Sequence, residues 1–251
     1  NVSVGFRFRD EQIKVSNIAP DAPFVIWAAE GRRRLRSIGV DASAQQLDRT
    51  VQPMSGYRVT GGAQLAPEWL DSEARFWKAS ARTTVFLPLY VDSRERAHVL
   101  TVRNSFGYGE AIHGQRELYL PERFFMGGIG ILRGFRFRRT GPTQFGRPTG
   151  GEALYHGSLE YGFPIPGAST RLSRSLRETE LVRGAAFVDW GFLGGSLSDP
   201  LFDQARITAG FGLQIRIPGL SPVPIALYFG WPVRSQATDR RQVFSFSFSS
   251  L

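Results

Sequence analysis

The chain has no cysteine among its 251 residues, only two methionines, and three widely spaced histidines, His98, His113 and His156. The absence of cysteine excludes a disulfide scaffold, a thiolate nucleophile and any Cys-ligated zinc or iron–sulfur site. Three scattered imidazoles leave little room for a metal site built on histidine, and no cofactor is expected. No Gly-x-Ser-x-Gly elbow, His-Glu-x-x-His helix or phosphate-binding glycine loop occurs, so the chain does not read as an enzyme. Its carboxylates could supply a glycosidase pair, but carboxylates alone are weak evidence for one. No uninterrupted apolar run reaches the roughly 18 residues that a spanning helix needs. That excludes helical spans only, because a membrane β-barrel writes its signal in short alternating segments. An initiator methionine and a signal peptide are also missing, and Asn1 opens directly into a strand-like pattern. The expectation is a piece of a longer chain.

What the chain does have is aromatic residues, glycine and arginine: 20 Phe, 7 Tyr, 5 Trp and 28 Gly, with 31 Lys+Arg against 22 Asp+Glu for a net charge of +9, nearly all of it arginine. Apolar and polar residues alternate with period two along most of its length. Val2, Val4, Phe6 and Phe8 share one face of the first segment, and Asp10-Glu11 then reads as a tight turn before a second segment over 12–18. Prolines at 20 and 23 break the pattern, and 24–30 reads as one or two helical turns ended by Gly31. Further strands are expected near 35–42, 56–65, 74–87, 97–108, 152–163, 180–190, 206–217, 224–231 and 242–249, eleven in all. In 206–217 the face formed by Ile207, Ala209, Phe211, Leu213, Ile215 and Ile217 is unbroken. Between about 112 and 150 lies a non-periodic segment rich in Gly, Arg and Phe, too long for a routine hairpin loop.

Alternation of this kind suits either a soluble sandwich or a membrane barrel. Two features favour the barrel. Several polar faces carry glycines, which let a curved wall approach a plug or a returning loop, and Trp190, Trp231 and Tyr57 stand near strand ends, where an interfacial girdle would lie. An arginine on a lipid-facing position near mid-depth costs roughly 2–4 kcal/mol. Arg206, Arg183 and Asp189 therefore belong on the inner face, and on the preceding strand Glu160 and Ser158 oppose Leu159 and Tyr161. The run Arg32, Arg33, Arg34 and Arg36 lacks interleaved aromatics and any helix-turn-helix pattern, so nucleic acid is not an expected partner. It suits a strand end, facing lipid headgroups or acidic groups.

The segment Pro121-Glu122-Arg123-Phe124-Phe125-Met126-Gly127-Gly128, followed by Ile131-Leu132-Arg133-Gly134-Phe135, resembles the sixth extracellular loop of the bacterial surface-antigen family of outer-membrane barrels, the BamA type. Its core is Arg-Gly-Phe, with Leu132 here where Val is usual. The resemblance extends upstream to Asp48-Arg49-Thr50, Pro53 and Ser55-Gly56-Tyr57-Arg58. Downstream it takes in 157–161, 185–191, 209–213 and 225–232, nearly the whole chain. It implies an all-β fold, a transmembrane antiparallel β-barrel fragment of about eleven of sixteen strands with a long inward-folded loop. Residues 1–251 would be the C-terminal portion of the barrel domain, with the first strands and POTRA domains upstream of Asn1.

The same resemblance implies that the loop folds back into the lumen, where Leu132, Arg133, Gly134 and Phe135 form the motif and Arg133 pairs with Glu160 and Asp189. The last strand, with Phe244, Phe246 and Phe248, would form one side of a weak seam. It departs from the family's usual ending by lacking a glycine and by carrying Leu251 instead of a terminal aromatic. Implied partners are outer-membrane lipid or lipopolysaccharide, unfolded outer-membrane protein substrates and accessory lipoproteins. The implied function is assembly and insertion of β-barrel proteins in the bacterial outer membrane by opening of the seam. The alternative within the architecture is a TamA-like or two-partner-secretion translocation pore. A passive porin or a soluble sandwich are the competitors outside it.

Overall fold

The structure, a computed structural model, describes residues 1–92, 96–170, 179–195, 204–217 and 224–248. One antiparallel sheet dominates it. Its ten strands are β1 (Val2–Val15), β2 (Gly31–Leu47), β3 (Gly56–Ala66), β4 (Phe76–Val91), β5 (Ala97–Ala111), β6 (Ala153–Pro164), β7 (Val182–Gly194), β8 (Arg206–Ile215), β9 (Ile225–Arg234) and β10 (Phe244–Ser247). Each strand pairs with its neighbours in sequence, so the sheet is a simple meander, and the long loop joins β5 to β6 as one more up-and-down connection. The sheet is not closed. β1 and β10 stand at its two ends, and β1 is paired along one edge only. Short two-residue ladders elsewhere fasten loops, and a four-residue helix, Phe24–Trp27, precedes β2.

The count of ten corrects the expected eleven. Val2–Val15 form one strand with no turn at Asp10-Glu11, because Asp10 pairs in register with Arg36 and Glu11 with Leu35. The Asp10 carboxylate accepts hydrogen bonds from Arg34 Nε at 3.0 Å and Arg34 Nη2 at 2.7 Å, and from Arg36 Nε at 3.3 Å. The apolar phase does change there, for another reason. Ile13 and Val15 point to the inner face and pack on a buried cluster that includes Leu35, Phe76, Leu118 and Tyr119, contributed partly by the long loop. What covers the inner face has changed from open space to packed loop, and the hydrophobic residues move to that face.

The apolar faces do not pack against a second layer. Val2, Phe6, Phe8, Val59, Leu159, Val188, Phe211 and Trp231 are all exposed on the outer side of the single sheet. The inner side is polar and covered by the loop, burying Thr101, Ser158, Glu160, Arg183, Asp189, Arg206 and Thr208. This arrangement overturns the sandwich alternative, in which the apolar faces would be the core. It also inverts the pattern of a water-soluble sheet, which hides its apolar face.

Candidate functional site: the inward loop and its clasps

The β5–β6 connection runs along the inner face in three anchored stages. Leu118 and Tyr119 enter the cluster beside Phe76, and Glu122, buried in the turn that follows, accepts hydrogen bonds from Arg9 Nη1 at 2.7 Å and Lys78 Nζ at 3.1 Å. Bridges Phe124↔Gly151, Met126↔Thr140 and Gly128↔Leu132 then fold the segment into a narrow doubled-back tongue. The wall glycines anticipated from the sequence admit it: a Cβ on Gly107 would lie 2.5 Å from the Phe124 ring, and one on Gly191 2.5 Å from Met126 Sδ. On the outside, Arg147 Nη2 grips Asp21 at 2.7 Å, and that guanidinium holds the exposed Asp21 carboxyl below its usual range.

Near the tip of the tongue Arg133 is buried. Its Nε donates to Asp189 Oδ2 at 2.8 Å and its Nη2 to Asp189 Oδ1 at 2.7 Å, the bidentate fork that a planar guanidinium makes with a carboxylate and an ammonium cannot. Its backbone N–H adds a third bond to Asp189 Oδ2 at 3.1 Å. Nη1 donates to Glu160 Oε2, and Nη2 also reaches Ser158 Oγ at 3.2 Å. The guanidinium lies 3.5 Å from the Phe187 ring centroid and 4.7 Å from that of Tyr228. Arginine is the residue for such a place because it stays charged, carries donors in a plane and presents a face that stacks on aromatic rings.

Gly134 and Phe135 complete the motif. Gly134 has φ +86°, and a Cβ there would sit 2.7 Å from Thr208 Cγ2 and 2.9 Å from the Gly230 carbonyl oxygen, so only glycine fits. Phe135 is fully buried with Leu132, Met126, Leu154 and Leu193. The structure thus brings Leu132, Arg133, Gly134, Phe135, Glu160 and Asp189 into one constellation. The residues set apart for the seam lie elsewhere. Phe244, Phe246 and Phe248 are exposed on the outer side of the last strand, with Phe244 packed against Phe229 at 5.2 Å between ring centroids. Leu251 lies outside the described residues.

A second clasp was not foreseen. Gly134-Phe135 forms a short ladder with Arg241-Gln242, in the turn that leads into β10. Arg136 N donates to Arg240 O at 2.8 Å and Arg240 N to Arg139 O at 3.1 Å. Below this, Asp239 accepts from Arg206 Nε at 3.1 Å and Nη2 at 3.3 Å and from Gly141 N at 3.3 Å, with both side chains buried. One carboxylate therefore ties the loop, the start of β8 and the β9–β10 turn together. Of these, only the inward parity of Arg206 was visible beforehand. The rings of Phe187 and Tyr228 were equally unforeseen, since on inner faces they break the alternation that marks the strands. The arginine run ends as expected near a strand end, where Arg34 and Arg36 meet Asp10, and Arg33 stacks 5.3 Å from the Tyr119 ring centroid.

With this geometry in view, comparison with known proteins is direct. The family model for the Omp85 superfamily domain matches residues 1–250. The outer membrane protein assembly factor BamA of Neisseria meningitidis serogroup B is 22% identical over 256 residues, covering 90% of this chain and 29% of that protein. The crystal structure of BamA from Haemophilus ducreyi lacking POTRA domains 1–3 superimposes with a TM-score of 0.69 at 21% identity, over 86% of this chain and 42% of that one. The chain spans less than half the length of either. It belongs to the Omp85 superfamily of outer-membrane β-barrel proteins.

Proposed function

We propose that this chain is the C-terminal part of an outer-membrane barrel that assembles and inserts other β-barrel proteins, acting through a seam beside β10. Membership of the Omp85 superfamily and likeness to an outer-membrane protein assembly factor support the general role. The observation that carries the seam is the weakness of the last ladder. Among the described residues, β10 pairs with β9 over Phe244–Ser247, with one further bond from Gly230 N to Val243 O at 2.9 Å, whereas β8 and β9 pair along almost their whole lengths. A short terminal strand leaves backbone donors and acceptors that an incoming strand can satisfy by augmentation, and in lipid the drive to satisfy them is strong.

In this reading the ten strands belong to a sixteen-strand transmembrane barrel, with the earlier strands and POTRA domains supplied upstream. The exposed apolar outer face meets acyl chains, and the Arg133 clasp locks the tongue against the wall. Substrates are unfolded outer-membrane proteins, and lipid or lipopolysaccharide and accessory lipoproteins are partners. No catalytic step enters it. The test joins β10 to the first barrel strand of the full-length protein by an engineered disulfide. Insertion of a barrel substrate into liposomes should stop when the disulfide forms and return on reduction. Undiminished insertion with complete crosslinking overturns the seam. A cavity between the tongue and the inner wall, lined by Arg58, Arg82, Arg103 and Arg133, favours a second reading, a polypeptide-translocating pore of the same architecture, which the number of upstream POTRA domains would distinguish.

A further inference from the structure

Among the described residues, two arginines on the inner wall have only neutral hydrogen-bond partners. Arg58 of β3 donates Nε to Gln45 Oε1 at 3.0 Å, and Arg82 of β4 donates Nε to Ser105 Oγ at 3.2 Å. Both are exposed on the lumen side. The register sets them in a zigzag with Arg103 of β5: Thr84 stands opposite both Arg58 and Arg103, and Arg82 stands opposite Thr60 and Ser105. Three guanidinium-bearing positions thus alternate with hydroxyls across three neighbouring strands, a width of roughly 10 Å at the usual strand spacing.

These arginines and Arg133 line a cavity of about 470 Å³, roofed by Ile129, Gly130 and Ile131 of the tongue. That volume falls within the roughly 300–1,000 Å³ of ligand pockets. Among the described residues Asp189 is the one carboxylate on its lining, and both its oxygens are already held by Arg133. Glu160 lies behind, engaged by Arg133 and by Arg103 at 3.6 Å. His156 also lines the cavity; it is 5% exposed, and its Nε2 has no hydrogen-bond partner. Like charges on adjacent strands repel, and a buried ring nitrogen without a partner is costly, so the site as it stands is incomplete.

An anion would complete it, and the geometry selects the kind. Alternate side chains of an extended chain recur on one face every 6–7 Å or so, the spacing of residues two apart on the wall itself. We infer that this cavity binds an extended acidic polypeptide segment, whose carboxylates are taken by Arg58 and Arg82 while His156 and the neighbouring hydroxyls supply further hydrogen bonds. The inference rests on the reading that the protein handles unfolded polypeptide, and it names the chemistry of the segment held.

The experiment uses the full-length protein in detergent micelles and two fluorescent decapeptides, alternating Glu-Ser and alternating Gln-Ser, titrated by anisotropy. The Glu peptide should bind at least tenfold more tightly, with the gap narrowing as salt rises. The double variant R58Q/R82Q should bring the Glu peptide down to the affinity of the Gln peptide, and R58K/R82K should keep most of the preference. Heat-dependent mobility on gels verifies that each variant is folded, and the single variants R58Q and R82Q serve if the double does not fold. Equal binding of the two peptides, or no change in the Gln variants, overturns the site. Displacement by inorganic phosphate at equal charge concentration as effective as by the Glu peptide itself overturns the polypeptide assignment in favour of a small-anion site. Substrate insertion into liposomes is measured in the same preparations. Insertion without a Glu preference removes the cavity inference and leaves the assembly reading standing, and a Glu preference without insertion does the reverse.

Discussion

Arg133 holds two buried carboxylates at once, and the cost of losing it follows from them. R133A leaves Asp189 and Glu160 inside the wall with no cation between them except the more distant Arg103. Removing one partner of a buried pair costs about 3–5 kcal/mol, and urea unfolding in micelles should show a loss of that order. R133K keeps the charge but gives up the fork and the stacking on Phe187, so its loss should be smaller but clear. G134A tests backbone fit with no charge involved. Its φ of +86° and the 2.7 Å approach to Thr208 Cγ2 make a penalty of about 1–3 kcal/mol the expected outcome in the same assay. The pairing at this site was legible through the loop motif's resemblance to a known family, and the parity of Glu160 and Asp189, a local pattern, agreed with it. The aromatic rings above the guanidinium were not legible, since only the curvature of the sheet brings β7 and β9 over the loop.

At the level of elements, the turns act as fasteners. Asp239 joins three segments, so D239A should free the loop and the final turn together while leaving the Arg133 contacts in place. Hydrogen exchange should rise at 134–141 and 240–243 and stay low around 187–189. A rise confined to the turn would show that the ladder with Gly134-Phe135 holds without the carboxylate. The β2–β3 turn is expected to respond to pH. Partial burial alone would raise the Asp48 carboxyl, but the amides of Ser55 and Met54 and the Arg49 guanidinium outweigh it and hold it below the usual aspartate range. A carboxyl whose folded value is depressed contributes stability that is full above its unfolded value, near 4, and that fades as pH falls through the folded value. Proteolysis within 48–55 should therefore accelerate below about pH 4, and D48N should remove that dependence. The misread turn at Asp10-Glu11 belongs to the same scale. Two adjacent acids and a shift in apolar phase look like a reversal, whereas the arginines that keep Asp10 in a ladder lie 24 and 26 residues away. Strand existence was legible almost throughout; strand continuity depended on a distant partner.

For the molecule as a whole, the outer face decides the solvent. A single sheet that turns Phe6, Phe211 and Val188 outward and buries Arg206 and Asp189 inward is built for an apolar surrounding. F211R, near the middle of β8, should cost about 2–4 kcal/mol in a bilayer, because the guanidinium would enter hydrocarbon. S3R, on the inner side of β1 opposite Ser43, should cost far less. Folding into phospholipid vesicles, followed by tryptophan fluorescence, compares the two; equal penalties would mean that the outer face does not meet lipid. The meander makes every wall contact local in strand order, but the tongue is different. It emerges after β5 and is gripped by β6, β7, β8 and the last turn, all of which come later in the chain. The Arg133 contacts can therefore close only once β6 and β7, which carry Glu160 and Asp189, are in place, and the ladder with Arg241-Gln242 only once the last turn has arrived. A residue near the middle of the chain is thus held by partners that the sequence supplies up to its last turn.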